Sequence, residues 1–332
     1  MVRLALLTVL LWSCGAASAS DYRWSLAPSL PVPVQEIYPT VSHGQIVVAG
    51  GLRAGKGNML EIDDRVWMLT PGAAQWQPAP ALPERRHHAL LVGTEKGVWS
   101  FGGFIESDNG QWTNTSTVMF LGQGAESWQL KEPMPVTLSE TVSAHLSDGI
   151  HLAGGRSATK HKNGQWLDSK DTNWHGVLNP DTGIWSTAPV LPTPRNSACS
   201  VVLDGQWHVI GGRTVEGGNL AVHEVFSPQT RKWKTLAPLP KAQGGLTCAA
   251  YLGDIYVFGG EYFTEGGGVY RDVWRYSPRK RTWSSVSTMP VPRHGLGSVV
   301  LDNKIWLIGG AAKAGARDTK TTVSQFQRAE SR

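Results

Sequence analysis

Three arginines recur at one place in a repeating pattern: Arg86, Arg195 and Arg293 each stand sixteen residues ahead of a Gly-Gly pair. The next position holds His87, Asn196 and His294, and one step further come Glu36, His88 and Glu140. A guanidinium meets a carboxylate through two parallel hydrogen bonds. Four arginines, with Arg213 directly after a Gly-Gly pair, would therefore make a cationic mouth for a peptide or carbohydrate carrying negative charge. The plainer alternative is that each arginine satisfies backbone groups at a strand end. His87 and His88 could ligate a metal with His294, but neighbouring residues on a strand face opposite ways, so only one of the two could serve. No metal and no cofactor is expected.

What must position this ring is a repeat of about 50 residues. Trp24, Trp76, Trp128, Trp185, Trp233 and Trp283 open its copies, and pairs beginning at Gly50, Gly102, Gly154, Gly211, Gly259 and Gly309 close them. Each Trp lies 26 residues before its first glycine, while successive tryptophans are 52, 52, 57, 48 and 50 apart. All length variation therefore falls after the Gly-Gly, in loops where a repeat protein carries its binding face. Trp112, Trp166, Tyr262 and Tyr270 in these loops suit stacking on sugar rings or peptide side chains. The loop after Gly154-Gly155, with His161, Lys162, Lys170 and Asp171, reads as a solvated lid; Arg53 and Lys56 belong to the first loop.

Within a copy, a small-residue run, a tight turn such as Asp204-Gly205 and an apolar run ending in Gly-Gly read as two strands. A third strand ends seven residues before the Trp of a fourth, at Leu69, Leu121, Leu178, Phe226 and Tyr276. The matching residue near the C-terminus, Phe326, has no Trp after it, and Tyr22 to Ser25 is a fourth strand without its first three. The two halves complete one unit if the ends meet.

The chain has 332 residues and a formal charge of +5, from 31 basic and 26 acidic side chains without a long like-charged run. That excludes a nucleic-acid signature. Residues 1–19 have the layout of a cleaved secretory leader, with Arg3, an apolar stretch and Ala17-Ser18-Ala19. A periplasmic or secreted location is expected, and a membrane link only if Cys14 is lipidated. Cys199 and Cys248, in the first strands of adjacent copies, are either a staple between them or two small buried thiols. Asn114-Thr115-Ser116 is a glycosylation sequon if the source is eukaryotic.

Six units of four antiparallel strands, Gly-Gly ending the second and Trp on the fourth, resemble the Kelch-repeat β-propeller of the galactose oxidase/Kelch superfamily. The resemblance implies an all-β, six-bladed propeller over residues 20–332, the last blade closed by the N-terminal strand. A monomeric binding module for a small carbohydrate or peptide is the function it implies. Gly260-Glu261 followed by Arg271-Asp272 is similar to a pairing in the exported sialic acid mutarotases, also called N-acetylneuraminate epimerases. That resemblance would make Glu261 an acid/base and Arg271 a carboxylate clamp. Copper radical oxidases resembling galactose oxidase need two Tyr, two His and a Cys able to crosslink, and no such set is evident here.

Overall fold

Short apolar strands ending in Gly-Gly bury both faces only by stacking with their neighbours, and a closed ring leaves none unstacked. The computed structural model describes residues 21–55, 60–159 and 161–329, so the expected leader at residues 1–19, with Cys14, and Lys56 lie outside the described residues. It forms six antiparallel blades around one axis, over 40–79, 90–131, 142–187, 199–235, 244–288 and 297–328. Blade 4 shows the pattern, with Cys199–Leu203, Gln206–Ile210, His223–Ser227 and Lys232–Thr235 running from axis to rim. In blade 6 the outer strand is Tyr22–Leu26, paired with Val323–Arg328 so that Trp24 stands opposite Phe326. The two halves do meet.

Two joints repeat at the seams. Near the rim, an outer-strand indole N–H donates to the preceding blade: Trp76 to Pro28 O, Trp128 to Pro80 O, Trp233 to Pro189 O and Trp283 to Ala237 O, each at 2.8 Å. Near the axis, the second glycine of every pair donates its N–H to the carbonyl sixteen residues before the next pair, from Gly51 to Arg86 through to Gly310 and Val34. Both glycines have positive φ throughout. A Cβ on the first would lie 3.0 Å or closer to that same carbonyl, so the blades approach too closely for any side chain.

Cys199 and Cys248 are joined as a disulfide between the innermost strands of blades 4 and 5, with Cα atoms 5.7 Å apart. Asn114 is buried and donates its amide to Ser139 Oγ at 2.6 Å, so the sequon is closed to glycan attachment in the folded chain.

Two buried histidine pairs occupy equivalent places in blades 3 and 4. His151 Nδ1 and His175 Nε2 are 2.9 Å apart, as are His208 Nδ1 and His223 Nε2. The first pair packs on Trp207 and Phe226, the second on Tyr276. Burial lowers all four, bringing His175 and His208 to about 4 and His223 to about 3 from 6.5. Asp148 beside His151 and Asp204 near His208 oppose this only in part. Because the folded pKa is depressed, unfolded chains take up protons first. Stability is therefore full above about pH 6.5 and falls below it, by up to roughly 1.4 kcal/mol per pH unit for each histidine held neutral. Urea midpoints measured from pH 7.5 to 5 should show this decline; an unchanged midpoint would mean the pairs are not held neutral.

Candidate functional site

The three positions that precede each innermost strand have separate jobs. Sixteen residues before each Gly-Gly, the side chain turns back into its own blade. Arg86 Nη1 donates to Gly102 O at 3.1 Å, and Arg293 Nη1 donates to Gly309 O and Thr322 O at 2.5 and 2.7 Å. Arg195 donates to Glu224 Oε2 at 2.5 Å and to Thr193 O and Val209 O. Gln243 makes the same link to Gly259 O in blade 5. All three arginines are fully buried, and burial brings Arg86 and Arg293 down to about 10. The expected cationic ring of Arg86, Arg195 and Arg293 is thus corrected: they cap strand ends inside the blades and do not reach the mouth.

One position on, a residue bridges the one that follows its own Gly-Gly: His87 with Phe104, Ser139 with Arg156, Asn196 with Arg213, His294 with Ala311. One further on, Glu36, His88, Glu140, Ser197, Gly245 and Gly295 all have φ between 49° and 69°. Four side-chain-bearing residues in the left-handed region are uncommon, and such strain gathers at functional sites. The twist also breaks strand alternation. His87 and His88 therefore face the same way, with Nδ1 atoms 2.7 Å apart, which corrects the expectation that only one could point into a site.

These rings and the loops above them enclose a cavity of about 630 Å³. Its charged floor is one connected network. Arg213 Nη1 donates to Glu261 Oε1 at 2.6 Å and Nη2 lies 3.7 Å from Glu140 Oε2; Arg156 Nη1 lies 3.4 Å from Glu140 Oε1. Gly315 N donates to Glu261 Oε2 at 2.7 Å, and His294 Nδ1 stands 3.5 Å from that oxygen and 3.7 Å from Glu36 Oε1. His88 Nε2 lies 2.8 Å from Glu36 Oε2. Burial works to raise Glu36, but His88, His294 and Arg213 outweigh it and hold the carboxyl well below its ordinary range. Glu140 is likewise lowered, by His88, Arg156 and Arg213 against burial. Arg213 is raised, since three glutamates overcome its burial, and burial beside His88 pushes His87 well down. Three carboxylates thus face two guanidiniums, so the mouth is not the strongly cationic one expected.

The walls are aromatic. Trp166 lies over the Arg156 guanidinium at 3.7 Å, and Trp112 stands edge-on to His87 at 4.3 Å. Tyr262 and Tyr270 pack together at 5.1 Å, next to the exposed ring of Phe263. The loops are stitched to one another: Asn163 and Asn114 exchange two hydrogen bonds, Asp171 holds Asn196 and the Val215 N–H, and Asn219 donates to Glu261 O. The loop of blade 3 is therefore a tied rim, where a solvated lid was expected. His87, Glu140, Arg213, His294 and Glu261 line the cavity, while Asn196 supports it from behind. Arg271 is exposed and away from the lining, so it does not meet Glu261; Arg213 stands there instead. Glu36, His88 and Arg156 are the members that the cationic-mouth reading underrated. For Glu36 and His88 the signal was present, because Gly245 and Gly295 at the same repeat position mark a backbone that needs positive φ.

A larger groove of about 950 Å³, lined by Trp99, Phe120, Lys96 and Asp181, opens on the opposite face. Its charges are exposed, with Lys96 paired to Asp181 at 2.6 Å, and no buried ionic cluster lies among its described lining residues. No group of three or more potential metal ligands occurs among the described residues.

Comparison with known proteins decides the family. The model of the KLHDC2/KLHL20/DRC7 Kelch-repeats domain matches residues 141–327. The chain belongs to the Kelch-repeat family. Kelch-like protein terF of Aspergillus terreus is 26% identical over 92% of this chain and 68% of its own length. Human Kelch-like protein 33 is 30% identical over 42% of this chain, which spans only 24% of that protein. The solved structure of YjhT superposes with a TM-score of 0.76 at 18% identity, covering 91% of this Kelch propeller and 97% of YjhT. At that identity the likeness is one of fold.

Proposed function

We propose that this Kelch propeller is a binding module that takes a carbohydrate at the mouth of its central channel. The observation that carries the reading is the placement of the Arg213, Glu261 and Glu140 network beneath Trp112, Trp166, Tyr262 and Tyr270 in one cavity. Sugar hydroxyls suit paired carboxylates and guanidiniums, and the apolar faces of sugar rings suit aromatic walls. A cavity of this size is in the range that encloses small organic ligands. His87 Nε2 and Arg156 Nε are buried without a hydrogen-bond partner among the described residues, a lack that a ligand could supply. A carboxylated sugar would rely on Arg213 and Arg156. The leader at residues 1–19 and the Cys199–Cys248 disulfide favour a periplasmic or secreted protein.

One observation favours a second reading, sugar mutarotation. Glu261 sits between a guanidinium and the His294 imidazole. Opening a hemiacetal ring moves one proton off the anomeric hydroxyl and one onto the ring oxygen, and reclosure reverses both without net change. A carboxylate and an imidazole side by side could perform that exchange.

Saturation-transfer NMR with neutral and carboxylated sugars tests the binding reading. Arg213→Gln is expected to weaken any bound sugar at least tenfold, and silence from every sugar while peptides bind would overturn the carbohydrate assignment. Anomer exchange faster than the spontaneous rate, lost in Glu261→Gln with binding retained, would establish the second reading; an unaccelerated rate would remove it.

A further inference from the structure

The mouth is bounded at its base by a ring of backbone. The six left-handed residues form a ring about the axis, and five of its six steps are peptide hydrogen bonds between neighbouring blades. Glu36 N donates to Gly295 O at 2.7 Å, His88 N to Glu36 O at 2.9 Å and Ser197 N to Glu140 O at 3.1 Å; Gly245 N donates to Ser197 O at 2.9 Å and Gly295 N to Gly245 O at 3.0 Å. These bonds run around the axis and seal the seams between blades, and the channel beneath them is too small for a sugar chain. Directly below, Tyr38 packs on His88 at 5.8 Å and borders a separate cavity of about 120 Å³ deeper in the channel. Along the sides, the loops of blades 2 to 6 are tied in sequence by the Asn114–Asn163, Asp171–Val215, Asn219–Glu261 and Glu261–Gly315 hydrogen bonds.

A pocket without an exit along the axis cannot thread the middle of an extended chain past its charged floor. Resting on the carbohydrate reading, we propose that the site recognises the free end of a glycan chain, entering end-on, and not an internal stretch. The terminal sugar stands on the charged floor of Arg213, Glu261 and Glu140. The sugars behind it meet Trp166 and Phe263 higher in the mouth, and the cavity has room for about two to three rings. Because the floor and rim are fixed by hydrogen bonds, little ordering is needed on binding, and selectivity comes from shape.

The test is an array of linear glycans held through one end, each paired with a form carrying one additional sugar on its free end, together with a cyclic oligosaccharide that has no end. Glycans that bind are expected to lose at least thirtyfold in affinity when the free end is extended, to change less than threefold when lengthened at the tethered end, and the cyclic form is expected not to bind. Equal binding of parent and end-extended forms, or capture of the cyclic form, overturns end-on recognition while leaving the carbohydrate reading intact. A wholly silent array overturns both.

Discussion

Replacing Arg195 by methionine is expected to destabilise the propeller by about 3 to 5 kcal/mol, the cost of leaving one member of a buried ion pair without its partner. Arg195 and Glu224 are both almost wholly buried and 2.5 Å apart. The guanidinium also satisfies Thr193 O and Val209 O, and Thr193 Oγ1 donates to the other Glu224 oxygen at 2.8 Å. Removing the cation orphans all of these in a place water does not reach. The double variant Arg195→Met with Glu224→Leu should recover most of the loss, because an apolar pair of similar volume is often as stable as a buried ion pair. Urea unfolding of both variants measures it. If Arg195→Met instead unfolds like the parent and fails only in ligand binding, the guanidinium acts at the mouth and its placement here is wrong.

That reversal of role shows where the sequence could be read and where it could not. Blade number, strand order and ring closure follow from a period that every copy obeys, since Trp and Gly-Gly are each required by a joint that recurs at every seam. Side-chain direction near the axis follows from something one repeat does not display. Arg195 points inward to Glu224 because its own carbonyl is fixed against Gly155 of the blade before, by a hydrogen bond of 2.7 Å. His88 joins His87 on one side only because its φ is 54°. The glutamate after Gly260 was legible as chemistry, but its partner was sought in the same loop, at Arg271, whereas Arg213 comes from the previous blade. Contacts across seams are what a repeat alignment conceals.

Deleting residues 21–30 is expected to abolish the folded monomer. The deletion removes the outer strand of blade 6, whose Tyr22 stacks on Phe326 at 4.9 Å and whose Trp24 meets the same ring at 4.8 Å. The Trp24 indole also donates to Ser287 Oγ of blade 5 at 3.1 Å, and Leu30 is buried against blade 1. Losing a buried aromatic such as Tyr22 costs roughly 3 to 5 kcal/mol, and with the partly buried Trp24 and the buried Leu30 the loss reaches the range of an ordinary domain's entire stability, about 5 to 15 kcal/mol. Circular dichroism and size-exclusion light scattering should find an unfolded or associated chain. A peptide of residues 21–30 added in trans should restore a cooperative melt, and its Trp24→Ala form should not. The joint at the axis is left intact by the cut, since Gly310 N still reaches Val34 O at 2.9 Å. A truncated chain that melts as the parent does would therefore mean that this inner joint alone closes the ring and that the paired outer strand contributes little; collapse would place the closure in the strand.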